Sequence, residues 1–199
     1  MPMKKSEAFD AAYYDRYYES SRTRVHSYEE VAKLCTAVVS FIDWWRHPIH
    51  TVLDVGAGVG LWREWFAKRR PSVAYRSTEL SAHACKAYGH EQRDITKWQA
   101  KETFDLVVCQ GVLPYIDDDG AAKAIDNLAA MTGGFLYLEA ITKRDIREVC
   151  DDLRTDVKVH ERTGSWYRTR LAGHFTEVGC GIWCKKDAGV LFYELEATR

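Results

Sequence analysis

A doubly wound α/β fold, with a largely parallel sheet covered by helices on both faces, is predicted by three observations. Strand-length apolar runs alternate with helical periodicities along most of the chain, several of these runs are apolar throughout rather than at every second residue, and a glycine-rich turn follows the first of them. At 199 residues the chain has the size of one ordinary domain, and no repeat, low-complexity tract or Pro/Gly/Ser linker marks a boundary after about residue 27. Residues 28–199 are therefore expected to form the folded domain, and residues 1–27 an aromatic helical arm ahead of it.

Ser27 and Glu30 make a capping box, after which Val31, Leu34, Cys35, Val38, Ile42 and Trp45 recur at helical spacing until Pro48 stops the segment. The run Thr51 to Val55 reads as a strand, and Leu61, Trp62, Trp65 and Phe66 mark the inner face of the helix beyond its glycines. A strand at Val73 to Glu79, a helix from Ser81, a short strand near Gly89 to Arg93 and a strand from Phe104 to Cys109 follow. Next comes a helix over Asp118 to Met131, with Ile125 and Leu128 inward, ended by Gly133-Gly134 before the strand Phe135 to Glu139. Thr142 and Asp145 open a further helix whose inward residues are expected to be Ile146, Val149, Cys150 and Leu153. A terminal antiparallel hairpin is expected from Val178 to Cys184 and Val190 to Leu195, with Lys185 to Gly189 as its loop.

Composition narrows the function. A hydrophobic fraction of 46% and an aromatic fraction of 13% exclude a disordered chain, and 28 Lys+Arg against 29 Asp+Glu give no global attraction for nucleic acid. A small molecule is the expected partner, and a monomer or homodimer the expected form. The segment from Met1 to Glu19 has no apolar stretch after its two lysines and reads as neither secretory signal nor membrane anchor. Cys35, Cys85, Cys109, Cys150, Cys180 and Cys184 are scattered through expected helices and strands, the pattern of reduced thiols in a cytoplasmic protein. Cys180 and Cys184 lack a second Cys/His pair at finger spacing, so no metal is expected.

The sharpest motif is Asp54-Val55-Gly56-Ala57-Gly58-Val59-Gly60. Glycines after a buried strand allow a tight turn and a close approach of backbone to ligand. A dinucleotide loop would need its third glycine at position 61, which is Leu61, and the Asp54 carboxylate would repel a pyrophosphate. A cofactor with an ammonium and a sulfonium group would instead be attracted by it.

On these residues the sequence resembles the class I S-adenosylmethionine-dependent methyltransferases, over roughly residues 28 to 197. The resemblance implies a Rossmann-like seven-stranded sheet ending in a β-hairpin, S-adenosylmethionine as cofactor and S-adenosylhomocysteine as product. It places Asp54, Gly56, Ala57, Gly58 and Gly60 at the cofactor, Glu79 on the ribose hydroxyls and Leu80 beside the adenine. It further implies Asp94 at the adenine amino group, Ile95 against the ring, and Gln110 and Gly111 at the methionine end.

The segment Val112-Leu113-Pro114-Tyr115 lacks the first polar residue and first proline of the tetrad carried by enzymes that methylate base amino groups, and looks more like the variable loop of small-molecule methyltransferases. Tyr14, Tyr18 and Tyr115 are candidates for the acceptor side, the first two as part of the lid that related enzymes fold over the cofactor. Trp166, Tyr167 and Arg168 are expected to form an apolar wall and an anion anchor, with Arg162 and Arg170 as alternatives to Arg168. His174 is the candidate proton acceptor. His26, His47, His50, His83 and His90 show no partner pattern and are expected at the surface. The expected function is transfer of a methyl group to O, N or C of a small molecule. A non-catalytic cofactor-binding scaffold and a protein or RNA methyltransferase are the rivals, and NAD-dependent oxidoreduction is a more distant one.

Overall fold

The computed structural model describes residues 9–198; Lys4 and Lys5, with the rest of the first eight residues of the expected arm, and Arg199 lie outside them. The chain runs α1 (Ala11–Tyr14, continued as a π-helical turn Asp15–Glu19), α2 (Tyr28–Trp44), β1 (Thr51–Val55), α3 (Leu61–Arg69), β2 (Ala74–Glu79) and α4 (Ala82–Tyr88). It continues as β3 (Glu91–Gln92), β4 (Phe104–Gln110), α5 (Asp118–Met131), β5 (Thr132–Glu139), α6 (Lys143–Glu148), α7 (Gly164–Leu171), β6 (Phe175–Gly179) and β7 (Ile182–Lys185). The strands form one sheet in the order β3-β2-β1-β4-β5-β7-β6, with β1 to β5 parallel and β7 antiparallel to both β5 and β6.

The two-residue period of the central strands divides the core into two layers. Leu53, Val55, Val107, Cys109, Leu136 and Leu138 face Ile125 and Leu128 of α5 and Leu171 of α7. Val52, Leu106, Val108, Phe135 and Tyr137 face Val31, Cys35, Val38 and Ile42 of α2 and Trp62 and Phe66 of α3. Burial on both faces explains why these strands read as unbroken apolar runs. α2 starts where its capping box places it, since Ser27 Oγ accepts the Glu30 amide at 3.2 Å and Glu30 returns a carboxylate oxygen to the Ser27 amide at 2.7 Å.

Three expectations are corrected. The terminal hairpin is Phe175–Gly179 with Ile182–Lys185, because Gly179, Cys180 and Gly181 all take positive φ and fold the expected Val178 to Cys184 strand back on itself. The run Val190 to Leu195 is not a strand, and Leu191 and Leu195 stand in solvent. α5 passes directly into β5, so Gly133 and Gly134 lie within that strand rather than stopping the helix. A Cβ on Gly134 would lie 2.1 Å from the His47 ring and 2.6 Å from the Asp105 carbonyl, so Gly134→Ala is expected to lower the unfolding free energy by about 1–3 kcal/mol, read from a denaturant midpoint. The third correction concerns α6, which ends at Glu148 and buries none of its residues; Val149 and Leu153 are exposed and Ile146 and Cys150 only half-buried. Val149 already departs from helical geometry there, so the apolar spacing has no helix to align it.

The sheet rims are short. β3 pairs through two residues only, and beside β6 the Thr198 amide and hydroxyl both donate to the Glu177 carbonyl. The six cysteines are free thiols, Cys35, Cys109 and Cys184 being buried. Among the described residues no helix is long and apolar enough to cross a membrane, and no group of three or more His, Cys, Asp or Glu side chains could hold a metal ion.

Candidate active site

The carboxyl ends of β1, β2 and β4 open onto a cavity of about 700 Å³. In a parallel sheet this is where adjacent strands deliver their connecting loops, and the gap between β1 and β4 is the point at which the strand order reverses. Gly56, Gly58, Glu79, Leu80, Asp94, Ile95, Gln110 and Gly111 all line it, together with Tyr14, Tyr18 and Tyr115. A second space of about 130 Å³ shares Gly56, Gly58, Gln110, Gly111, Tyr18 and Tyr115 with the first, and adds Asp54, Ala57 and Glu139. Gly60 lines neither; in a left-handed conformation it caps α3.

The glycine loop is held from both sides. The Gly56 and Ala57 amides donate to the Thr78 carbonyl at 2.8 and 3.0 Å. Gly56, at φ +73°, has no room for a side chain, since a Cβ would fall 2.2 Å from a Val112 methyl. Glu79 is buried and accepts the Gly58 amide on one oxygen at 3.1 Å and the Leu80 and Ser81 amides on the other at 2.7 and 3.0 Å. These bonds fix its carboxylate at the cavity wall and leave one lone-pair site, on Oε2, for a further donor.

His90 supplies a support that the sequence did not reveal. It is buried, with Nε2 3.0 Å from the Gly58 carbonyl and Nδ1 2.8 Å from the Ser77 hydroxyl. A carbonyl only accepts, so Nε2 carries the proton and Nδ1 accepts from Ser77; burial lowers the pKa and keeps the ring neutral. His90 is thus corrected from surface group to loop brace. His47 is also half-buried, against Phe135. His26, His50 and His83 are exposed.

Asp54 is almost fully buried at the end of β1 and accepts the Tyr75 hydroxyl at 2.7 Å. Burial raises its pKa to about 7, the Tyr75 hydrogen bond opposing and the nearby Glu79 carboxylate reinforcing that shift. Asp94 accepts the Thr96 amide and hydroxyl at 3.0 and 2.7 Å and lies 3.3 Å from the Lys97 ammonium. Gln110 accepts the Trp62 indole N–H at 2.8 Å and donates to Glu139 at 3.2 Å, and Glu139 also accepts the Tyr137 hydroxyl at 3.1 Å.

The N-terminal aromatic cluster covers this space. Phe9, Tyr13, Tyr14 and Tyr18 line the large cavity, and Tyr18 packs over Gly58 with ring atoms 3.6 Å from where a Cβ would stand. The Tyr13 and Tyr115 hydroxyls meet at 2.9 Å, Phe9 stacks edge-on against both rings, and Ser81 Oγ donates to the Phe9 carbonyl. The segment 9–19 is thereby joined to the β4–α5 loop across the opening. Burial raises the pKa of Tyr13, Tyr14, Tyr18 and Tyr115, so their hydroxyls stay protonated.

Four expected site residues are placed elsewhere. Tyr167 is buried in the core, and Trp166 lies between Arg162 and Arg170, with the Arg170 guanidinium 3.7 Å from its ring centre. Arg168 is exposed and paired with Glu177 at 3.1 Å, and His174 is 3.1 Å from Asp126 at the far end of α7. None of the four lines either cavity. The cause is topological: α7 packs on α5 and leads to β6 at the sheet rim, whereas the cavity lies over β1, β2 and β4. Arg162 is likewise not an anchor for an acidic ligand. It is buried, donates to the Leu113 and Ile116 carbonyls, lies 3.3 Å from the Tyr167 hydroxyl and pairs with Asp118 at 2.7 Å, holding the loop after β4.

This sheet order, with a glycine loop at the point where it reverses, defines a Rossmann-like domain. The comparisons name the class. A family model described as a methyltransferase domain matches residues 13–184, so the chain belongs to that family. Among solved structures, the chain resembles the N-methyltransferase NodS from Bradyrhizobium japonicum WM9 in complex with S-adenosylhomocysteine, with 18% identity, coverage of 87% of this chain and 93% of that one, and a TM-score of 0.60. It also resembles the magnesium protoporphyrin IX methyltransferase from Synechocystis PCC 6803 with bound S-adenosylhomocysteine, at 16% identity, 87% and 89% coverage and a TM-score of 0.59. An O-methyltransferase family protein from Burkholderia thailandensis matches at 14% identity and a TM-score of 0.56 over 81% of this chain, which spans 59% of that protein's length. At these identities the three share the fold. No curated protein matches the sequence.

Proposed function

We propose that the protein is an S-adenosylmethionine-dependent methyltransferase whose acceptor is a small molecule. The observation that carries this is the placement of Glu79 and Asp94 on the larger covered space and Asp54 on the smaller one, from the ends of three neighbouring strands, with Gly56 and Gly58 of the glycine loop lining both. The donor set fits the cofactor. Glu79 has an open acceptor site on Oε2 for the ribose hydroxyls, Asp94 has acceptor capacity for the adenine amino group, Leu80 and Ile95 offer apolar flanks for the ring, and Asp54 is a buried carboxyl that ionises to meet the ammonium. The cofactor supplies an activated methyl group on a sulfonium. The protein's part is to hold the acceptor in line and exclude water, which the aromatic segment 9–19 does as a lid over the domain that follows it. The smaller space is shared: Asp54, Ala57, Gln110 and Gly111 border it for the methionine end of the cofactor, and its remaining lining, with Tyr115, Glu139 and Asp156, is the acceptor side. The NodS-like, porphyrin and O-methyltransferase neighbours support a small-molecule acceptor, and the free thiols support a cytoplasmic setting.

Calorimetric titration with S-adenosylmethionine, S-adenosylhomocysteine and, as a control, NAD tests this assignment. Micromolar binding of the first two and none of NAD is the expected result, and binding of NAD alone overturns it. The titration also carries a pH signature. Asp54 must ionise to pair with the cofactor ammonium, so affinity for S-adenosylhomocysteine should rise between about pH 5 and pH 7, with proton release, and level off above. The linked stability runs the other way: a raised acid pKa stabilises the cofactor-free fold below the unfolded value and loses that contribution as pH rises to about 7. In Asp54→Asn the proton release should vanish.

A further inference from the structure

The smaller cavity differs from the larger one in charge. Arg93, Lys97 and Lys158 border the large space, whereas the lining of the small one contains Asp54, Glu139 and Asp156 and no lysine or arginine. Asp54 is occupied by the Tyr75 hydroxyl and is assigned to the cofactor, which leaves Glu139 and Asp156. Glu139 takes its two side-chain hydrogen bonds, from Gln110 and Tyr137, on the same oxygen, Oε2. Among the described residues, Oε1 has no donor. Among the described residues, Asp156 accepts only the Lys158 amide, on Oδ1. Around these two carboxylates stand the rings of Tyr13, Tyr18, Tyr115 and Trp62. His26 is the remaining titratable side chain on the wall besides the tyrosines.

We infer that the acceptor bears a protonated amine, bound by Glu139 Oε1 between the tyrosine rings, and that Glu139 is the specificity-determining residue of the acceptor side. A carboxylate with a free oxygen attracts an ammonium directly, and aromatic faces around it add cation–π attraction. The same lining repels a carboxylate or phosphate acceptor, since among the described residues no guanidinium or ammonium side chain borders it. Gln110 and Tyr137 hold the Glu139 carboxylate so that its unbonded oxygen does not turn away, and Trp62 orients Gln110 in turn. This inference deepens the methyltransferase assignment and rests on it.

The test uses three probes of one size and different charge, benzylamine, benzyl alcohol and benzoate, whose ring matches a space of this volume. Each is titrated by ligand-observed NMR against the protein alone and against the protein saturated with S-adenosylhomocysteine, in the wild type, Glu139→Gln and Asp156→Asn. Benzylamine is expected to bind at least tenfold more tightly than the other two, and that preference should disappear in Glu139→Gln while affinity for S-adenosylhomocysteine stays within about twofold. Asp156→Asn, on an exposed loop, should weaken benzylamine by a smaller factor. Equal binding of the three probes, preference for benzoate, no binding of any, or a preference that survives Glu139→Gln overturns the inference. Failure of S-adenosylhomocysteine to bind refutes the cofactor assignment instead, and the cofactor-free titrations separate the two failures.

Discussion

Glu79→Ala is expected to lower affinity for S-adenosylhomocysteine about a hundredfold or more, the largest binding effect of any single substitution at the site. Two losses combine. Hydrogen bonds from ribose hydroxyls to a carboxylate are charge-assisted, and each contributes roughly 1.5–3 kcal/mol. The second loss is preorganisation: without the carboxylate, the Gly58, Leu80 and Ser81 amides lose their acceptor and the glycine loop loses one of its ties to β2, the Gly56 and Ala57 bonds to Thr78 remaining. Glu79→Gln separates the terms, since an amide oxygen can keep the Leu80 and Ser81 bonds while its nitrogen opposes the Gly58 donor. Its affinity should fall between wild type and alanine. Calorimetry reads both variants, and unchanged affinity in Glu79→Ala would sink the ribose assignment.

Arg162→Ala should cost the most stability among the residues around the site, roughly 3 kcal/mol or more in unfolding free energy. The residue is 4% exposed, and its removal strands the Ile116 carbonyl, leaves the Leu113 carbonyl with the Ile116 amide alone and opens a void beside Tyr167. Asp118 adds little, because it is largely exposed and solvent screens its pair with Arg162. Asp118→Asn should accordingly shift the denaturation midpoint far less than Arg162→Ala, and Arg162→Lys should recover part of the loss. A midpoint in Arg162→Ala equal to that of Asp118→Asn would show that the buried carbonyls find other donors.

The parts of the site that could be read from the sequence are local. A strand, its acid and its glycines are contiguous, so Asp54 and the glycine loop stand out by alternation and turn chemistry, whereas Glu79, at the end of the next strand, is placed by the family resemblance. Tyr14, Tyr18 and Tyr115 followed from a ten-residue aromatic cluster that needs cover and from a loop after a strand. What escaped depends on contacts far apart in the chain. His90 reaches Gly58 across 32 residues and Arg162 reaches Leu113 across 49, and nothing near either residue announces the partner. Glu139 could have been found by the rule applied to Glu79, since both are acids ending strands that face the cavity side. The hairpin was misplaced because Val178 and Cys184 read as one β-rich run, and the reversal at Gly179-Cys180-Gly181 lies inside it.

The brevity of the sheet rims bears on behaviour at high concentration. An open β-edge offers unpaired amides and carbonyls to any extended chain, and long flat edges promote strand addition between copies. Here one rim offers the length of a two-residue strand, and at the other Thr198 already spends two donors on Glu177. The Glu177 carbonyl is thus closed to an incoming strand, and the opposite rim gives such a strand only two residues to pair with.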